Sequence, residues 1–251
     1  MATILIPIPL TDFDPTETAV PWKILRAAGH RVVFATPNAQ AGRADARMVT
    51  GNGLGPLAPM LRADANGRAA YAELQASAEF QQPIAYEQID TTAVQAALLP
   101  GGHAPGMRPY LESALLQDKL VELFAADKPV GAICHGVLLA ARSRHAGRSI
   151  LHGRHTTGLT KLLELSAWAL TCLWLGSYYR TYPQTVEDEV SGVLARPGDF
   201  ARGPLSLARD SPHNLGAGFT VCDGRYLSAR WPGDAHRFGT ELAQLVSAVY
   251  S

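Results

Sequence analysis

Two short runs near the N-terminus, Thr3–Pro7 (TILIP) and Arg31–Thr36 (RVVFAT), are almost wholly apolar, and they restrict the fold more than any other feature of the chain. A strand exposed on one face alternates polar and apolar residues; a continuous apolar run marks a strand covered on both. Between the runs, Pro15-Thr16-Glu17-Thr18 precedes a helical stretch, Ala19–Ala28, that stops at Gly29, a residue that takes the left-handed C-terminal conformation without strain. Strand, helix, strand in that order is a β-α-β unit, which joins parallel strands. The pattern recurs downstream. Ala96–Leu99 ends in Pro100-Gly101-Gly102, Ser113–Ala126 reads as an amphipathic helix, and Pro129 leads into a strand at Val130–Ile133. A mostly parallel α/β protein is expected.

The rest of the chain fills in around that frame. Residues 39–68 are rich in Gly, Pro, Asn and Arg without a sustained period, so they read as a surface excursion of the kind that borders active sites. Ser149–Leu151 is a candidate strand, and Leu162–Gly176 a helix. Tyr178–Pro212 is an irregular segment punctuated by prolines. Gly218–Cys222, the turn pair Asp223-Gly224 and Tyr226–Ala229 read as a hairpin, and Asp234–Val249 as a closing helix. Neither a repeat nor a linker divides the chain, so one domain over residues 1–251 is expected, with an excursion near 39–70 and a divergent insertion near 167–215.

Lys plus Arg equal Asp plus Glu at 22 each, which gives no overall field to attract nucleic acid or an anionic membrane. The longest apolar run, Ala167–Leu175, falls well short of the ~20 residues that cross a bilayer. Nor does the N-terminus have the basic start of a secretory signal. The three cysteines, Cys134, Cys172 and Cys222, are too few and too widely spaced for a disulfide framework or a zinc knuckle. A cytoplasmic protein with a small-molecule partner is expected, with Cys172 and Cys222 packed inside apolar runs.

Gly131-Ala132-Ile133-Cys134-His135-Gly136 puts a thiol where a strand runs straight into a helix, with small neighbours to relieve the crowding. This is the pattern of a nucleophile elbow. Taken alone, a cysteine after an apolar strand is more often a buried small hydrophobe. Position argues otherwise: the positive end of the following helix favours thiolate, and backbone N–H groups there stabilise an oxyanion. Gly101-Gly102 ends a second strand, and parallel sheets gather ligands at the carboxyl ends of their strands.

Leu98–Met107 (LLPGGHAPGM) and Pro129–Leu139 (PVGAICHGVLL), with Asp14–Leu25 (DPTETAVPWKIL) before them and Ser228–Leu245 (SARWPGDAHRFGTELAQL) after, resemble the ThiJ/PfpI superfamily, relatives of the class I glutamine amidotransferases. The resemblance implies a flavodoxin-like three-layer sandwich. It makes Cys134 the nucleophile, Glu17 the carboxyl group beside its sulfur, and Gly102 and His135 the oxyanion-hole amides. In the larger members, which resemble glyoxalase III, a histidine next to the nucleophile is backed by an acid; Gly153–Glu164 (GRHTTGLTKLLE) aligns Glu164 with it. Some large members bind a metal through a histidine placed like His103, yet no further ligands accompany it, and His152 and His155 stand without a second cluster, so neither metal nor cofactor is expected. Trp168, Trp174, Tyr178 and Tyr179 suit core packing or a dimer face, and relatives are commonly oligomeric, so a homodimer is expected.

The amidotransferases complete their triad with H-x-E, which occurs nowhere in this chain. A glyoxalase III-like conversion of a 2-oxoaldehyde to a 2-hydroxy acid is therefore the leading expectation. Hydrolysis or hydration of a C–N bond, as in an amidase, peptidase or isonitrile hydratase, and a redox-sensing or chaperone role without turnover stand beside it.

Overall fold

The computed structural model describes residues 1–250. A central sheet collects seven strands: β1 (Thr3–Pro7), β2 (Arg31–Thr36), β3 (Ile84–Ala85), β4 (Ala96–Leu99), β5 (Val130–Ile133), β6 (Thr220–Asp223) and β7 (Tyr226–Ala229). Their spatial order is β6-β7-β5-β4-β1-β2-β3, and every pair is parallel except the hairpin β6-β7. All four residues of β4 and of β5 are buried, as their unbroken apolar sequences require. Without the two-residue edge strand β3, the order of the parallel strands is that of a flavodoxin-like sheet. Its connections reverse direction between β1 and β4, so a crevice opens beyond the carboxyl ends of those two strands.

Helices cover the sheet in two groups. α2 (Ala65–Ala76) and α7 (Ala235–Tyr250) each pack on α1 (Pro15–Ala27); α3 (Ala114–Ala125) and the short α6 (Val186–Ser191) each pack on α4 (Gly136–Arg142). Where α7 crosses β5, a methyl group on Gly131 would lie 2.8 Å from Leu242 and 2.9 Å from Phe238, so the glycine lets the helix seat directly on the strand. α5 (Lys161–Leu175) is different: of its fifteen residues only Glu164 and Thr171 are buried. No helix among the described residues is long and apolar enough to cross a membrane.

Several boundaries differ from the sequence expectation for identifiable reasons. α1 begins at Pro15, not Ala19, because the Asp14 carboxylate accepts from the N–H groups of Thr16 and Glu17, and proline at the first position gives up no helical hydrogen bond. The excursion over 39–68 is more ordered than expected. Short helices at Ala46–Thr50 and Ala58–Leu61 pin Met48 and Leu54 inside a small second core with Ala104, Tyr178 and Tyr179. Ser149 lies in a two-residue hairpin, Arg144–His145 with Arg148–Ser149, where a strand to Leu151 was expected. Cys172 is only half-buried and Cys222 is exposed, because α5 is largely uncovered and β6 is the edge strand of the sheet.

Candidate active site

Cys134 stands at the end of β5 with φ 56°, a left-handed conformation that a non-glycine residue adopts only under constraint. The last strand bond, Cys134 N–H to Ala229 O at 3.0 Å, holds it to the sheet, and α4 begins two residues later. The neighbours must be small for this turn to close. A methyl group on Gly136 would fall 2.2 Å from the Leu99 carbonyl oxygen, so only glycine lets the elbow pass under the end of β4.

Gly101 shows what converges there. A methyl group at that position would lie 2.5 Å from Glu17 Oε2, 2.8 Å from Cys134 Cβ and 2.8 Å from the His135 backbone nitrogen. Three segments distant in sequence thus meet over one glycine, at the crevice where the sheet order reverses. The Gly101 N–H donates to Glu17 Oε2 at 3.0 Å, while Glu17 Oε1 is buried without a hydrogen-bond partner. Burial, reinforced by the charge of Asp14, raises the Glu17 pKa well above its ordinary value and so favours the protonated carboxyl group.

The thiol behaves unlike the sequence expectation. Burial first, then the nearby carboxyl groups Glu17 and Asp14, push the Cys134 pKa well above the usual thiol value; the His135 N–H aimed at the sulfur opposes this only in part. Desolvation outweighs the helix end, and the resting residue is a neutral thiol. A nucleophilic role would require a base that meets the sulfur inside the site.

His135 presents a ring nitrogen to that sulfur. Its Nδ1 lies 3.5 Å from Cys134 Sγ, which the sharp elbow allows despite the adjacency of the two residues in sequence. On its other side, Nε2 lies 3.1 Å from the hydroxyl oxygen of Thr181, and that hydroxyl donates its own proton to the His103 carbonyl oxygen at 2.6 Å. With its one hydrogen spent, Thr181 accepts from His135, which fixes the proton on Nε2 and leaves Nδ1 as a lone pair facing the thiol. Burial lowers the His135 pKa to about 3, so the ring is neutral in the resting site.

The histidine is therefore backed by a hydroxyl, and Glu164 does not do it. Glu164 is buried, but one carboxylate oxygen accepts from the Val186 N–H at 2.9 Å and the other lies 3.3 Å from Arg180 Nε. It holds the start of α6 and lines the cavity above the sulfur, with its pKa raised by burial to about 7. Gly102 also lines the cavity beside Cys134, and a side chain there would meet the Asp12 carbonyl oxygen at 2.7 Å. His103 stacks on Tyr179 with ring centroids 4.3 Å apart, and no group of three or more His, Cys, Asp or Glu among the described residues is arranged to hold a metal. Sequence reasoning missed two members of the site, Thr181 and Asp14. Asp14 carried a signal, since an Asp just before Pro15 is a helix cap that aims a carboxyl group at the crevice.

The ThiJ/PfpI family-like profile matches residues 8–192, and the chain belongs to that family. It is similar to a deglycase of Pyrococcus abyssi, 35% identical over 169 residues that cover 65% of this chain and 69% of the relative. Among solved structures, the fold is similar to that of a 24 kDa rapid encystment protein of Francisella tularensis, with a TM-score of 0.74 at 15% identity over 98% of this chain and 99% of that one. It is also similar to glyoxalase III of Candida albicans, with a TM-score of 0.69 at 16% identity over 100% and 98% of the two chains. At those identities the structural likeness is one of fold.

Proposed function

We propose that this protein is a cofactor-independent enzyme that uses Cys134 to convert a 2-oxoaldehyde into the corresponding 2-hydroxy acid. The observation that carries the reading is the lone pair of His135 Nδ1 facing the thiol, fixed by Thr181 behind the ring. His135 takes the thiol proton as the sulfur adds to the aldehyde carbon, then returns it to the new alkoxide, giving a hemithioacetal. The same nitrogen next removes the hydrogen from that carbon while Glu17 protonates the neighbouring carbonyl oxygen, and an enediol forms. Imidazolium then protonates the second carbon, Glu17 takes back a proton from the hydroxyl on the first, and a thioester of the 2-hydroxy acid results. Water hydrolyses it and restores the thiol. Glu17 suits this exchange because its pKa is raised and Oε1 has no other partner.

The experiment is lactate formation from methylglyoxal without added thiol; absence of lactate from the wild-type protein sinks the reading. The Pyrococcus deglycase supports a second use of the same thiol, attack on a carbonyl adduct of an amine, which release of the amine would report.

Two variants probe the proton inventory. Thr181→Val removes the hydroxyl that sets the tautomer, and kcat is expected to fall roughly 10- to 100-fold with little change in KM, less than the roughly 10²- to 10⁴-fold that a whole general base contributes, because the ring itself stays. An unchanged kcat would remove Thr181 from the mechanism.

Asp14→Asn keeps an oxygen for the Thr16 and Glu17 N–H groups but removes a charge that forms as pH passes about 6. Asp14 raises the Glu17 pKa, so its neutralisation lowers that pKa. The alkaline limb of kcat/KM, set by loss of the Glu17 proton, should move to lower pH in the variant. A limb that stays in place would mean that another group sets it.

A further inference from the structure

The cavity above Cys134 is larger and more apolar than a three-carbon substrate needs. Its volume is about 180 Å³. Apolar cavities of about 150 Å³ already accept a benzene ring. Polar groups gather at the sulfur end, where Glu17, Asp14 and His103 face the space. Farther out, Leu163, Ala167 and Leu170 line one wall at spacings of four and three, a single stripe along α5. Met60 and Leu207 also line the cavity. The two other charged groups of the lining are already engaged: Glu164 by Val186 and Arg180, and Arg209 by the carbonyl oxygens of Met60 and Arg62.

The apolar wall also continues to solvent. Leu170, Met60 and Leu207 line the cavity while remaining 50%, 46% and 66% exposed. Exposed contiguous apolar surface is a liability unless something occupies it. Here it is continuous with a reactive sulfur, and Leu163 to Leu170 spans seven residues, about 10 Å along the helix axis. From this geometry we infer that the site takes 2-oxoaldehydes bearing a straight alkyl tail, which lies along the α5 stripe with its end at the Leu170–Leu207 mouth. The inference rests on the proposed turnover at Cys134 for its reactive headgroup, but the tail subsite is a binding property that can be measured without turnover.

Two series test it. For methyl-, propyl-, pentyl- and heptylglyoxal, kcat/KM should rise about fourfold per added methylene until the tail reaches the mouth, the effect of burying one CH2 group. In parallel, unreactive 2-alkanones of matching length are titrated into Cys134→Ser, and their affinity should rise by a similar factor. Ala167→Trp, which fills the stripe, should lower the heptyl-to-methyl ratio of kcat/KM at least 10-fold. Leu170→Glu, at the half-exposed mouth, should lower it without risk to the interior, and thermal unfolding of both variants checks the fold. A flat or falling chain-length series in both glyoxals and ketones overturns the inference. Ketone affinities that rise with length while no glyoxal turns over would keep the tail subsite and sink the proposed chemistry instead.

Discussion

Cys134→Ser is expected to form lactate from methylglyoxal at least about 10³-fold more slowly than the wild type if the proposed reaction holds, with an unfolding temperature within a few degrees of it. The expectation follows from what the sulfur does in the buried pocket. The serine hydroxyl is far less acidic than a thiol, and His135, whose basicity burial has already lowered to about pKa 3, can deprotonate it only at much greater cost. The intermediate would be an ester in place of a thioester, and therefore slower to hydrolyse. The replacement leaves the elbow intact, since its left-handed turn is held by the Ala229 bond and by glycines at 101 and 136, not by the side chain of residue 134. Steady-state kinetics with calorimetry of both proteins reads the two effects. A serine variant that retained even a tenth of the wild-type rate would show that the thiol is not the nucleophile.

Asp234→Ala should destabilise the fold by about 3–5 kcal/mol, the cost of stranding one partner of a buried ion pair. Arg230 and Asp234 are 2% and 0% exposed at their side chains and meet through two bonds, Nε to Oδ2 at 2.9 Å and Nη2 to Oδ1 at 2.8 Å. The same carboxylate accepts from the Phe219 and Arg230 N–H groups, so its removal also orphans backbone donors. For a chain of this length each kcal/mol shifts the midpoint by about 2–4 °C, so thermal unfolding should occur roughly 6–20 °C lower. Arg230→Met combined with Asp234→Leu should recover part of the loss, because the stranded charge is gone while the two backbone donors still lack their acceptor. If the double variant is no more stable than Asp234→Ala, the charge is not the main cost.

The parallel sheet was legible because each of its long strands is a short apolar run bounded by turn residues, and the elbow was legible because Gly131, Ala132 and Gly136 are needed to bury it. The partner of His135 was not. Thr181 lies 46 residues downstream in a proline-punctuated segment without periodicity, and the contact arises only when that segment folds back over the crevice. Glu164 was drawn into the wrong role for a related reason. The helix it opens was visible, but the short α6, whose first N–H engages the carboxylate, sits inside the segment that had no pattern to read. Thiol acidity failed at a different level: sequence reveals a helix end and one carboxyl group, Glu17, whereas the degree of dehydration that outweighs the helix is a property of the packed site.

The Thr181 hydroxyl carries a consequence for how such a site can drift. Its hydrogen goes to the carbonyl of His103, so the tautomer of His135 depends on a main-chain atom from one side of the crevice and a single side chain from the other. Segment 178–212 is also tied down by Tyr178 and Tyr179 in the second core and by the Val186 N–H on Glu164, so a change in its length between those anchors would shift Thr181 and leave the elbow whole with its histidine unset.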